Sequence, residues 1–179
     1  MAKIIKNASV VDDAWKTLTL AAGDSPEQVR LPVGPLLVPL AVWRARRREL
    51  VERQYEHGWP LGIWLAGDEG PELIAADLDD FSVVAIAFSR FSDGRGYSTA
   101  RLLRTRYGYT GELRAIGDVL RDQLFYLRRV GFNAYAVRSD KNIEAALAGL
   151  EDFGAVYQGA ADPALGRRHA GAGSLSETP

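Results

Sequence analysis

Residues 90–104 read RFSDGRGYSTARLLR and carry the residue types best suited to holding a small ligand. Asp93 can accept or release a proton. Gly94 and Gly96 can adopt backbone conformations that let N–H groups converge. Arg95 and Arg101 offer planar forks that match carboxylate, phosphate or sulfate. Tyr97 and Ser98 add hydroxyls. The apolar run VVAIAF leads in and a helical pattern leads out. The loop therefore opens a helix, whose positive end favours an anion. It is neither a Gly-x-Gly-x-x-Gly fingerprint nor a P-loop. A plain turn, with Asp93 bonding its own backbone and Tyr97 packed on the sheet, uses the same residues. Both readings stand.

Arg114 is the next unusual residue. It interrupts ELRAIG, a buried type of strand, and a buried arginine needs a partner. Asp93, Asp118, Asp122 or a ligand anion would serve. Asp118 follows Gly117 and suits a helix N-cap, with proton transfer as its alternative role. Asp122 lies one turn on and can reach the same crevice. The candidate ligand set is thus Asp93, Gly94, Arg95, Gly96, Tyr97, Ser98, Arg101, Arg114, Asp118 and Asp122. The catalytic candidates within it are Asp93 and Asp118. Nine arginines stand against four acids between residues 90 and 129, so this segment is locally positive.

Other chemistries lack their residues. The chain has no cysteine and two histidines, His57 and His169. Disulfides, thiolate nucleophiles and Cys-ligated metals are excluded. The acidic spacings do not resemble a calcium loop, and no metal site is expected. The serines lack a histidine in triad order. His57 reads as a helix-end cation beside Gly58. A net charge of −1 gives no global argument for nucleic acid or an anionic membrane. No apolar run approaches the ~20 residues of a membrane span. The first residues lack a signal-peptide core, so a cytoplasmic location is the expectation.

The elements that must position these residues alternate. KIIK and VVDDAWKTL read as two short strands around the turn NAS, a hairpin. A Gly/Pro-rich loop follows, then LLVPLAVWRARRRELVERQYEHG, apolar at first and then helical, with Pro39 in its first turn and Gly58 as its stop. Thereafter LGIWLAG, FSVVAIAFS, GELRAIG and NAYAVRS read as strands. GPELIAADLDD, GYSTARLLRTRYGY, DVLRDQLFYLRRVGF and DKNIEAALAGLEDFG read as the intervening helices. Asp140 suits the cap of the last. This pattern predicts an α/β fold of successive parallel βα units. They form a half-barrel resembling part of a (βα)8 barrel, or an open doubly wound sheet. Both place ligands at the carboxyl ends of the strands. Residues 1–160 form the expected domain. Residues 161–179, small and polar, read as a flexible tail.

The chain from FSDGRGYSTARLLRTRYGYTGELRAIGDVLRDQLFYLRRVGF outward also resembles a bacterial domain family of unknown function. That family is labelled as an oxidoreductase of sulfite reduction and is associated with sulfate assimilation genes. The resemblance runs from IIKNASVVDDAW to AVYQ. It rests most on Asp93 to Ser98, Ala100-Arg101, Leu103-Arg104, Gly111 to Ala115, Gly117 to Leu120, Asp122-Gln123 and Gly131-Phe132. It implies a small anionic ligand of the sulfite, sulfate or phosphate type. Alternatively it implies a non-catalytic accessory partner of sulfite reductase or other sulfate assimilation enzymes. It implies no particular cofactor, and the cofactor stays unknown. Family members often carry Cys before the Gly-Phe pair; Val130 stands there in this chain.

Overall fold

The computed structural model describes residues 2–89 and 94–150. Eight strands form one sheet: β1 (Ala2–Lys6), β2 (Ser9–Asp13), β3 (Lys16–Thr17), β4 (Leu36–Pro39), β5 (Leu61–Leu65), β6 (Val83–Phe88), β7 (Glu112–Gly117) and β8 (Ala134–Tyr135). The helices are α1 (Leu40–His57), α2 (Arg95–Thr105), α3 (Arg121–Val130) and α4 (Ile143–Leu147). Short 3-10 turns occupy Pro71–Leu73, Ala75–Asp80 and Ala148–Leu150. Among the described residues no helix is long and apolar enough to cross a membrane.

The strand order is β2-β1-β8-β7-β6-β5-β4-β3. From β3 to β8 each strand pairs in parallel with the next in the chain. The order never reverses within that run, so the sheet is a curled half-barrel and not a doubly wound sheet with a switch point. At the N-terminus β1 and β2 form the expected antiparallel hairpin. Its turn places Asn7 and Ala8 at φ 49° and 60°, the positive-φ pair of a tight two-residue hairpin.

The chain itself demonstrates the curl. β2 and β3 are the two outermost strands, yet only Ala14 and Trp15 separate them in sequence. A three-residue step spans roughly 10 Å. Eight flat strands would span about 34 Å at the usual strand spacing. Only a strongly bent sheet brings its two edges that close.

Alternation along each strand then defines two faces. Leu36, Val38, Leu61, Ile63, Leu65, Val84, Ile86, Phe88, Leu113 and Ala115 belong to the main core. There they join α1 (Trp43, Leu50), α2 (Ala100, Leu103) and α3 (Leu124, Leu127). Leu37, Val83 and Ala85 form a second cluster with Trp15, Trp64 and Ile116. This inner, concave face is filled by the chain's own side chains.

Several boundaries differ from the sequence reading. Residues 36–39 are a buried strand, not a helix lead-in; Pro39 ends it, outside the helix. The run VVDDAWKTL splits into β2 and β3 at Ala14-Trp15. The segment 71–80 is two 3-10 turns. Asp140 does not cap α4: the Asn142 side chain accepts from the Ala145 N–H at 2.9 Å, while Asp140 pairs with Arg138. Residues 151–179, including the expected tail, lie outside the described residues.

Candidate functional site

The segment after β6 sits where a half-barrel collects its ligands, at the carboxyl end of a central strand. Asp93 lies outside the described residues. Gly94 is the N-cap of α2, and the first turn contains Arg95 but no acidic residue. Arg95 and Ser98 are exposed, and Tyr97 is half-buried.

Close packing explains both Gly96 and Gly117. A Cβ on Gly96 would lie 2.9 Å from two ring carbons of Phe88 and 3.0 Å from Ile86 Cγ2. Glycine there lets the first turn of α2 rest directly on β6. Gly117 has φ +90°, and a Cβ would stand 2.5 Å from the Phe88 carbonyl oxygen. That close approach lets the Asp118 N–H donate to the same carbonyl at 2.8 Å. Gly94 has nothing within 4 Å of a built Cβ, so no steric contact demands it.

Tyr97 connects two helix starts. Its ring packs on Phe88 and on Tyr126, with centroids 5.3 and 5.0 Å away. Its hydroxyl oxygen accepts from the Gln123 amide at 3.3 Å. Gln123 is the third residue of α3, and its side-chain oxygen accepts from the Leu120 N–H at 2.9 Å. Gln123 therefore caps α3, and Asp118 does not. Burial first, with a smaller contribution from the nearby Tyr126 and Asp122, pushes the Tyr97 hydroxyl above the ordinary tyrosine pKa despite the Gln123 bond. It stays protonated at neutral pH. The exposed Asp122 is thus electrostatically coupled to Tyr97.

Asp118 directly follows β7 and receives Arg138 Nη1 at 2.9 Å. Arg138 also donates to both oxygens of Asp140, at 2.9 and 3.0 Å. The hydrogen bonds from Arg138 hold the Asp140 carboxyl below the usual aspartate range. Arg138 belongs to the same strand-end surface. The strand-end rule picks out Arg138 to Lys141 by position, although Arg138 is not among the candidate ligand residues. Arg101 is exposed on α2, about a turn and a half in.

Arg114 has a different setting. It projects onto the inner face, flanked across the ladder by Ala85 and Ala134, whose small side chains leave room for it. It is 2% exposed. Glu112 Oε1 receives its Nε at 2.7 Å and Nη2 at 2.6 Å. Asp13 receives Nη1 at 3.1 Å on each oxygen. Lys6 completes the network on Glu112 Oε2 at 2.7 Å, and Trp15 lies 5.9 Å from the guanidinium. The partners are therefore Glu112 and Asp13, and not the acids of the strand ends named from sequence.

A separate cavity of about 230 Å³ opens at the opposite, amino ends of β6 and β7. Leu78, Asp79, Phe81 and the 107–111 loop line it. Arg104 braces that loop by donating to the Tyr109 and Gly111 carbonyls. Among the described residues no group of three or more His, Asp or Glu side chains could hold a metal ion.

Residues 62–166 match the family model described as a bacterial protein of unknown function (DUF934). That span begins in β5 and takes in β6, α2, β7, α3, β8 and α4. No curated protein and no solved structure matches the chain.

Proposed function

The chain belongs to the DUF934 family of bacterial proteins of unknown function, and from that premise we propose that it binds a small oxyanion at the carboxyl ends of β6 and β7. One observation carries this reading. The first turn of α2 begins at a glycine, contains no acid and presents an exposed arginine. Helix starts usually attract acidic side chains. Here the helix field and the charge of Arg95 have the same sign within one turn of chain, a combination that suits an anion.

The ligand class follows from the resemblance to proteins of sulfite reduction. Sulfite or sulfate fits it, with phosphate as the chemical mimic. The backbone N–H groups of the first turn bind one oxygen and the Arg95 fork another. Arg114 is assigned a structural role, because Glu112 and Asp13 occupy its donors. Titration calorimetry with sulfite, sulfate and phosphate tests the reading. Wild type should bind at least one of them, and Arg95→Glu should weaken it by ten-fold or more. Failure of all three anions to bind the wild type removes it.

A second reading is favoured by Tyr126, which is 55% exposed beside Tyr97. An exposed aromatic residue of this kind suits a docking contact. Under this reading the protein is an accessory subunit of sulfite reductase. Co-purification with that enzyme should then be lost in Tyr126→Asp. Equal recovery of both forms counts against it.

A further inference from the structure

We infer that the outer side of α1 is an interface between two copies of this chain, packed antiparallel about a two-fold axis. The inference stands apart from the oxyanion site and from the reductase reading. α1 is held on three sides. Trp43 and Leu50 face the core. Arg47 reaches Asp77 and Asp80 on one flank, at 2.7 and 3.4 Å. On the other flank Arg46 and Arg53 donate to the Val29, Pro32 and Gly34 carbonyls. The fourth side is open to solvent. Arg48, Val51, Glu52, Tyr55 and Glu56 recur there at helical spacing and are all exposed, Tyr55 by 91%. Arg44 lies beyond a bend at Arg46 and is exposed too.

The charge order along α1 does not serve the helix itself. Its first half exposes Arg44, Arg47 and Arg48, and its second half exposes Glu49, Glu52 and Glu56. The helix dipole favours the reverse order. Arg48 pairs with Glu52 at 2.7 Å, but an acid ahead of the base is the better i,i+4 arrangement. A second copy laid antiparallel turns this order into a match, because each basic half then meets an acidic half. A wholly acidic or wholly basic partner would match one half and repel the other, so a second copy is the occupant the charges select. An axis near Val51 sets Arg44 against the partner's Glu56 and Arg48 against the partner's Glu52. It brings Val51 near its own copy, and the small exposed Ala45 leaves room for the partner's Tyr55. Tyrosine is a favoured anchor in such contacts. Eighteen residues make about 27 Å of helix, a contact at the small end of specific interfaces. The dimer is therefore weak and forms with rising concentration.

Sedimentation equilibrium on the full chain tests this, with three variants whose melting temperatures confirm that they fold. Wild type should show a reversible monomer–dimer equilibrium that weakens with added salt. The double variants R44E/R48E and E52R/E56R should each dimerise about ten-fold more weakly or worse, because like charges then face each other at both ends. Mixed in equal amounts, the two should form a heterodimer as tight as the wild-type dimer. Tyr55→Ser changes no charge and should also weaken dimerisation about ten-fold, as loss of an anchor does. A wild type that stays monomeric up to about 1 mM, the weak end of the affinity scale, overturns the inference. A mixture no tighter than either charge variant alone overturns the antiparallel pairing. Monomeric wild type in which Tyr55 is shielded from hydroxyl-radical labelling overturns it in favour of cover by another part of the chain.

Discussion

Arg114 and Asp13 stand 101 residues apart in the chain, yet Arg114 Nη1 lies 3.1 Å from each carboxylate oxygen of Asp13. Asp13 ends β2, an edge strand, while Arg114 is in the middle of β7. In the sheet order β1 and β8 lie between them. The contact therefore spans the concave face and fastens the N-terminal hairpin to the segment matched by the family model. Removing the arginine leaves Asp13 and Glu112 facing each other without their shared cation. Arg114→Ala should cost about 3–5 kcal/mol, the range for breaking one side of a buried ion pair. Urea unfolding measures it. A loss below about 1 kcal/mol would show that the network is not what holds the hairpin.

The three glycines around the candidate site should rank by their surroundings. Gly117→Ala meets a carbonyl oxygen at 2.5 Å and also requires alanine at φ +90°. Gly96→Ala meets a phenyl ring that can shift a little, and should cost about 1–3 kcal/mol as an overpacked contact. Gly94→Ala meets nothing and should be nearly neutral. Thermal denaturation of the three variants should give that order, with Gly117→Ala the least stable. A Gly94→Ala variant as unstable as Gly96→Ala would contradict the packing account.

The cap of α4 provides a paired test. Asn142→Ala removes the side chain that accepts from Ala145 N–H and should cost about 1 kcal/mol. Asp140→Ala removes only exposed ion pairs, with Arg138 and Lys141, and such pairs contribute little. Chemical denaturation should therefore separate the two, with Asn142→Ala the lower.

Much of this architecture was legible in the chain, for reasons specific to each element. Leu124, Leu127 and the stop at Gly131 recur at helical spacing, and α3 ends there with Gly131 at φ +116°. The alternation of β6 and β7 with helical stretches indicated parallel strands. The segment 36–39 misled because four apolar residues ending in proline resemble a helix entry. Tertiary pairing with β5 decides that it is a strand. β3 has two residues, too few to leave a period, whereas β8, equally short, lies within NAYAVRS, which reads as a strand. The location of the helix start at Gly94–Ser98 was readable from glycine and charge. The partners of Arg114 were not, because the curl of the sheet brings Asp13 to it and no local spacing records that. The N-caps failed for a related reason. Asp118 and Asp140 have suitable side chains, but Arg138 holds both of them.

That arrangement has a pH consequence. The Arg138 hydrogen bonds lower the Asp140 pKa. A depressed carboxyl keeps its contribution above the ordinary aspartate value, about 3.9, and loses it as pH falls through the folded value. Carbon-detected NMR titration should find Asp140 ionising below that ordinary value. Arg138→Ala should return it upward. An unchanged Asp140 titration in the variant would show that the pair is not formed in solution.

The most direct test of the oxyanion site is amide chemical-shift mapping during sulfite titration. The account predicts saturable shifts concentrated at residues 94–98, with smaller ones at Leu120 to Gln123. The cavity loop 107–111 and the inner-face residues Glu112 and Arg114 should stay still. Shifts confined to the 107–111 loop, or no saturable shifts anywhere, would contradict it.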